Sequence, residues 1–377
     1  MSGRAKATEI SNNGPGKNGR IFIFTRSGWD EQPRLRHQVA KLLVEAGEEV
    51  HFFQGSRYLW QKVSSSDDIK ISNKFYIHRS AQLLHLQLRL TSLLGWINGI
   101  VEARSIKKSI SGGVRLDDVV INFNYDFSFL RKLFVKNKIV TIINDDFIAQ
   151  AKFFKGGHVR ESLKKTCAIS NEVLAVSYPL IEQLKNWCKP KLFLPWADVP
   201  YTAPMPPSSP RNAVLLWAYI DVRIDFTLLC EVAKSLPNSD FHIYGDHFWR
   251  IEPEIKKAMA FPNIFFKSSA RLDNIDLRAY YAAIIPYKSG VADIEAVTLS
   301  NKSFQLLARG LPLVTSGMPN FFKHPSIHNT STTESFIDAL NQCSEEFSVI
   351  QPSIEEFVQE NQPSARYEQL VKIWTSI

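Results

Sequence analysis

Lys302 sits two residues after Ser300, at the head of a short apolar helix pattern, and a cation in that place is chemistry for an anion. Ser300 suits an N-cap, while Gly310, with Pro312 beyond it, suits a stop. Phe304, Leu306, Leu307 and Ala308 give the segment its apolar face. A lysine in a first helical turn opposes the helix dipole, whereas an anion at a helix start beside strand ends is favoured. Two readings follow: a phosphate-type anion held at Ser300, Asn301 and Lys302, or an ordinary αβ unit with a solvated lysine.

Carboxylates suited to proton transfer occur in two places. Asp145 and Asp146 directly follow the apolar run Lys138–Ile143. Adjacent acids repel, which raises one pKa toward the range of a general base; the alternative is a helix N-cap beside a solvated acid. Asp30 and Glu31, after the turn Ser27–Gly28, form the second place. His37 falls inside a helical pattern and reads as packed or exposed rather than catalytic. No metal-ligand spacing appears.

The elements that must position these groups are legible from periodicity. Arg20–Thr25 is a nearly unbroken apolar run, as in a buried parallel strand. A helix over about 33–45 and a strand at Val50–Phe53 complete a βαβ start. Residues 81–110 form a long leucine-rich pattern closed by Arg104, Lys107 and Lys108. It is either a buried crossover helix or an amphipathic segment lying on a membrane with Trp96 at the headgroups; Gly95 and Gly99 weaken either helix. Strands follow at Asp118–Phe123, Lys138–Ile143, Val173–Ser177 and Lys191–Trp196, with a helix at about 179–187. Prolines 200, 204, 206, 207 and 210 mark a joint. Beyond it come strands at Ala213–Trp217, Phe241–Tyr244, Ile264–Phe266 and Ala283–Pro286. Helices are expected over about 225–235, 274–281 and 333–346, and from about Ile354.

This alternation predicts two α/β halves with parallel sheets. The expected organisation is a disordered tail over 1–19, an N-terminal domain over 20–198, a linker over 199–211, a C-terminal domain over 212–352 and a closing helix over 353–377. Ligands of such folds bind outside the carboxyl ends of the strands. That rule gathers Gly28–Glu31, Asn144–Asp146, Tyr219–Arg223, Gly245–Asp246, Ser268–Arg271 and Tyr287–Gln305 near one cleft.

Composition narrows the class. The chain has 377 residues, 45% of them hydrophobic, enough for two cores. Its four cysteines are scattered, which fits reduced thiols in a cytosolic protein. Residues 1–200 carry 30 Lys and Arg against 18 Asp and Glu, and the remainder carries 15 against 19. The basic half suggests an anionic partner. Nucleic acid is disfavoured, because no zinc-finger spacing, aromatic RNA signature or long arginine cluster is present.

The run Ser300–Val314 resembles the donor-site pattern of GT-B glycosyltransferases, in the broad group around glycosyltransferase family 4. Trp29–Gln38 is similar to the first loop and helix of bacterial members, Trp217–Asp246 to the opening of their nucleotide-binding domain, and 359–370 to their closing helix. The resemblance spans roughly residues 20–376. It implies two Rossmann-like domains with parallel sheets facing an interdomain cleft, and a C-terminal helix that crosses back to the N-terminal domain. It implies transfer of a hexose, without bound metal or cofactor, from a nucleotide-diphosphate sugar with UDP as the nucleotide. The implied acceptor is a glycan or lipid-linked molecule of bacterial polysaccharide or glycoconjugate synthesis. The implied place is the cytoplasm, peripheral to the inner face of the plasma membrane, where the basic half meets anionic lipid.

By position, Tyr219, Arg223, Gly245, Ser268, Tyr287, Lys288, Ser300, Asn301, Lys302 and Gln305 are the expected donor-binding residues. Asp145, Asp146, Asp30 and Glu31 are the candidates for catalysis. Two departures stand out. Gln305 replaces the carboxylate that accepts from the ribose hydroxyls, and Val297 replaces the first of a glutamate pair, with Asp293 and Glu295 off register. They keep open a non-catalytic nucleotide-sugar-binding protein of the same fold, beside a nucleotide-sugar epimerase, which the charge split disfavours.

Overall fold

A computed structural model describes residues 19–31, 34–62, 68–85, 88–89, 91–151, 156–206, 210–247 and 249–375. The expected disordered tail lies outside these, apart from Gly19, as do Pro33, Leu86 and Leu90. The chain divides into two compact units: Met1–Val176 with Leu180–Phe193 and Pro363–Ile377, and Ser177–Pro179 with Leu194–Gln362.

The first unit is built from β1 (Arg20–Phe24), α1 (Leu35–Glu45), β2 (Glu49–Tyr58), β3 (Asp68–Ser72), β4 (Phe75–Gln82), α2 (Ser92–Ser109), β5 (Val119–Asn122), α3 (Leu130–Leu133), β6 (Lys138–Ile143), α4 (Gly156–Ile169), β7 (Glu172–Ala175), α5 (Tyr178–Leu184) and β8 (Lys191–Leu192). Its sheet runs β3-β4-β2-β1-β5-β6-β7-β8, and only β3 is antiparallel to its neighbour. Phe22, Phe24, Phe53 and Phe134 are buried together beneath it, each stabilising the unit by about 1.5–3 kcal/mol. At the start of β1 the buried Arg20 guanidinium meets Asp118 at 2.8 Å. Asp118 also accepts the Arg20 and Arg115 backbone N–H groups.

The second unit contains β9 (Ala213–Trp217), α6 (Phe226–Ser235), β10 (Asp240–Tyr244), α7 (Glu252–Ala258), β11 (Ile264–Lys267), β12 (Tyr280–Pro286), α8 (Ala292–Glu295), α9 (Asn301–Leu307), β13 (Leu313–Ser316), β14 (Ile327–Thr330), α10 (Thr333–Glu345) and α11 (Phe347–Glu360). Its sheet is parallel in the order β11-β10-β9-β12-β13-β14. The last helix, α12 (Pro363–Thr375), belongs to the first unit. There Tyr367 Oη donates to Glu48 Oε1 at 2.8 Å and Gln369 Nε2 donates to the Leu192 carbonyl at 2.6 Å.

Three expectations are corrected. The leucine-rich pattern from 81 is not one helix: β4 runs to Gln82, a loop follows, and α2 begins only at Ser92, where Thr91 accepts from the Leu94 N–H. Leu83 and Leu84 give their N–H groups to the buried Asn98 side chain, which α2 presents, so the helix fixes the loop that precedes it. The expected helix over 274–281 is absent. Short turns at Leu272–Asn274 and Leu277–Ala279 lead into β12, and the Arg211 guanidinium takes the carbonyls of Leu277, Arg278 and Tyr280. The closing helix is two helices, because α11 ends at Glu360 and Pro363, whose missing N–H suits a first turn, starts α12.

Each sheet has one point where the strand order reverses, beside its first strand. In the first unit it lies between β1 and β5, and in the second between β9 and β12. The loops that leave these strands are where a doubly wound sheet opens a crevice.

Candidate functional site

In the second unit the loop after β9 is zipped to the end of β12. Asp225 N–H donates to the Pro286 carbonyl, Lys288 N–H to the Arg223 carbonyl, and Ile224 bridges Tyr287. This backbone pairing aims two cations at one ring. Lys302 Nζ lies 5.3 Å from the Tyr287 ring centre and 3.3 Å from its hydroxyl, and Arg223 Cζ lies 5.8 Å from the same centre.

Asp221, which the sequence reading passed over, fixes Arg223. Its carboxylate receives Nε at 3.0 Å and Nη2 at 2.6 Å. Burial pushes the Asp221 carboxyl up, but the hydrogen bonds from Arg223 and the charges of Arg223 and Lys302 outweigh it and hold it below the usual range. Gly317, at φ +71°, lets its backbone pass Tyr287, where an added Cβ would stand 2.2 Å from the Tyr287 carbonyl oxygen.

The start of α9 is ordered by its own serines. Ser300 Oγ accepts the Ser303 N–H at 3.1 Å and exchanges a hydrogen bond with Ser303 Oγ at 2.7 Å. The helix has seven residues, so the positive field here comes mainly from Lys302 and Arg223 rather than from a long dipole. Gln305 is engaged on both sides: Nε2 donates to Asp198 Oδ2 at 3.3 Å, and Oε1 accepts from Arg309 at 3.1 Å. Arg309 also binds Asp273.

The remaining donor candidates are not gathered here. Tyr219 is exposed on the loop after β9, Ser268 is exposed after β11, and Lys288 projects to the surface and lines a separate groove with Phe226 and Lys257. At Gly245 a Cβ would lie 1.7 Å from the Ala218 carbonyl oxygen, so a close backbone approach accounts for the glycine.

In the first unit the catalytic candidates differ in what already occupies them. Asp146 Oδ1 accepts the Ile148 and Ala149 N–H groups and Gln183 Nε2, so it closes a turn and caps no helix. Asp145 is half-buried, with Asn144 and Gln150 as side-chain donors. Burial raises its pKa, and the charges of Arg36 and Arg34 only partly oppose this. Glu31 accepts the Gly28 N–H at 2.7 Å, and Asp30 is exposed. His37 is structural: its Nδ1 accepts the Arg34 N–H, so Nε2 carries the proton and donates to the Gly28 carbonyl at 2.9 Å.

The first unit's reversal point holds a group that the sequence reading missed. Arg26 follows β1, Asp126 follows β5, and Arg89 and Glu102 meet them. Arg26 reaches Asp126 at 2.8 Å and Glu102 at 3.1 Å, while Arg89 reaches Asp126 at 2.7 Å and Glu102 at 3.3 Å. The Arg89 and Glu102 side chains are 3% and 1% exposed, so each charge depends on the others. Burial pushes the Asp126 carboxyl up, but Arg26 and Arg89 outweigh this and hold it down. Strand-end position could have flagged Arg26 and Asp126; nothing in the pattern around Arg89 or Glu102 marks them.

Solved structures of similar architecture match along nearly the whole chain. Sucrose-phosphate synthase from Thermosynechococcus elongatus matches with TM-score 0.66 and 13% identity over 95% of this chain and 98% of that one. An alpha,alpha-trehalose-phosphate synthase (UDP-forming) from Burkholderia vietnamiensis gives 0.64 and 11% over 96% and 100%. HepE from Anabaena, solved in complex with UDP and glucose, gives 0.62 and 11% over 96% and 100%. The fold is GT-B. No protein-family model and no curated protein matches the sequence. Among the described residues, no group of three or more His, Cys, Asp or Glu is placed to hold a metal, and no helix is long and apolar enough to cross a membrane.

Proposed function

We propose that this protein is a glycosyltransferase that moves a hexose from a UDP-sugar to a glycan or lipid-linked acceptor in bacterial glycoconjugate synthesis. The observation that carries the reading is the pair of cations, Lys302 and Arg223, set against Tyr287 at the strand-order reversal of the second unit. Two positive groups around one aromatic ring suit a nucleotide diphosphate, and charge-assisted hydrogen bonds to phosphate oxygens are the strong ones. Two structural neighbours, one a UDP-forming synthase and one solved with UDP and glucose, support that donor class. Neutralisation of the diphosphate by Lys302 and Arg223 favours a metal-independent transfer. Asp145 is the assigned base, since burial raises its pKa and Asp146 is committed to backbone donors. The basic N-terminal half favours an anionic membrane surface as the workplace.

Thermal-shift titration against UDP-, GDP-, TDP- and CMP-sugars tests the donor. A shift confined to UDP-sugars is expected, and EDTA leaves it unchanged; no shift with any of them refutes the assignment. One observation favours a second reading, a nucleotide-sugar-binding protein without transferase activity: Gln305 is tied to Asp198 and Arg309 where a carboxylate would face the ribose. Binding of UDP-sugar without hydrolysis or transfer distinguishes it.

A further inference from the structure

A pocket of about 310 Å³ opens in the first unit beside the strand-order reversal between β1 and β5. Arg89 and Asp126 line it, with Arg104 on α2, Lys132 on α3, Lys165 on α4 and the ring of Trp96. Its one lining carboxylate is already neutralised, because Asp126 Oδ2 accepts from both Arg26 and Arg89. The outward cations are not. Lys165 has only an exposed contact with Glu161 at 3.6 Å, and among the described residues neither Arg104 nor Lys132 forms an ion pair. A concave site lined by one sign of charge focuses its field and concentrates ligands of the other sign.

The wall on the α2 side is built to approach closely. An added Cβ at Gly99 would crowd the Phe129 ring at 3.2 Å, whereas one at Gly95 would make an ordinary contact with the His158 ring at 3.6 Å. Glycines inside a helix weaken it, and here Gly99 lets α2 approach the segment that bears Lys132. At the mouth, Trp96 is 57% exposed and Leu93, one turn earlier on the same face, is 63% exposed. A basic pocket with an apolar lip suits a phosphate ester attached to something less polar.

We infer that this pocket binds the phosphate or diphosphate group of the acceptor. The word acceptor rests on the proposed transferase reading, while the preference for phosphate rests on the cations alone. The ester would come either from a lipid-linked sugar or from a soluble sugar phosphate.

The test is calorimetric titration of the full-length protein with inorganic pyrophosphate, in a Lys302→Ala background that removes the principal cation of the second unit. Saturable binding is expected, weakened at least tenfold by the double variant Arg104→Ala/Lys132→Ala. Both side chains are exposed, so an unchanged melting temperature shows that the fold persists. Binding that is absent, or indifferent to the double variant, overturns the inference. Farnesyl diphosphate then separates the sources. Affinity at least tenfold above that of pyrophosphate, lost in Leu93→Ala/Trp96→Ala, supports the pocket with a lipid-linked ligand; equal affinities support it with a soluble one. UDP titration of the unaltered protein keeps the two readings apart. Failure with UDP alongside pocket-dependent pyrophosphate binding refutes the transferase and leaves the anion site, and the reverse pattern removes the pocket alone.

Discussion

The two strand-order reversals use charge in opposite ways. In the second unit the cations Lys302 and Arg223 stand around an aromatic ring, and of the two only Arg223 forms an ion pair among the described residues, with Asp221. In the first unit Arg26, Arg89, Glu102 and Asp126 form a closed network with two members nearly sealed from water. Partly exposed cations keep their field available for a ligand. Buried paired charges spend theirs on each other, which fixes the loops after β1, β4 and β5 and holds the adjoining pocket in shape. The same topological place thus leaves cations partly exposed in one unit and locks charges into a brace in the other.

The largest effect that would break this comparison is on stability. Glu102→Ala leaves Arg89 and Arg26 short of a buried partner and is expected to cost the first unit about 3–5 kcal/mol. Urea unfolding followed by hydrogen exchange in β1 measures it, and a loss below about 1 kcal/mol would show that the network does not brace the loops. Next comes Lys302→Ala, which should weaken UDP binding about 10- to 100-fold in calorimetry, in line with about 1.5–3 kcal/mol for a hydrogen bond to a charged group. The melting temperature of the second unit should stay unchanged.

Asp221→Ala sharpens the contrast from the other side. Arg223 is 35% exposed, so solvent screening limits the stability loss to about 1 kcal/mol or less. UDP affinity should still fall several-fold as Arg223 loses its orientation. Gln305→Glu would set a carboxylate against Asp198, where the amide now donates at 3.3 Å. Arg309, which already donates to Oε1 at 3.1 Å, offsets part of the repulsion, so a loss below about 1 kcal/mol at pH 7 is expected. It should shrink as the pH falls through the carboxylate range and one acid of the pair protonates.

The smallest effect on stability concerns Asp145. Its folded pKa is raised by burial, so the folded state holds this proton more tightly than the unfolded chain does. Stability from this group is present at low pH and is lost as pH rises through the folded value. Asp145→Asn should therefore stabilise the first unit at pH 7 by up to about 1 kcal/mol while abolishing transfer. Asp126 has the opposite sign. Its pKa is depressed, so its contribution is lost as pH falls below the unfolded carboxylate range.

Much of this arrangement was legible in the residues. The apolar runs at Arg20–Phe24, Lys138–Ile143 and Ala213–Trp217 form strands because side chains buried on both faces leave no polar alternation. Ser300 caps α9, and Gly310 adopts φ +72° beyond its end, each doing what its type allows. The strand-end rule found Arg223 and Tyr287. It also drew in Gly245, where the backbone crowds Ala218, and Ser268, which lies exposed. Position along a strand says where a loop starts but not where its side chains turn. The leucines after Ala81 misled for a related reason: apolar residues in a loop and a helix look alike when tertiary contacts, here with Asn98, decide the path.

The sequence by itself determined two α/β halves, the basic first half and the lysine at the head of α9. These follow from interactions between residues close in the chain, where periodicity, capping and turn chemistry act. Only the tertiary structure decided that Lys302 and Arg223 share Tyr287, that Asp146 takes up the N–H groups of a turn while Asp145 is half-buried, and that Arg89 and Glu102 complete a buried network. Most of those outcomes join residues well separated in the chain, and a buried charge takes its meaning from the partner that the fold brings to it.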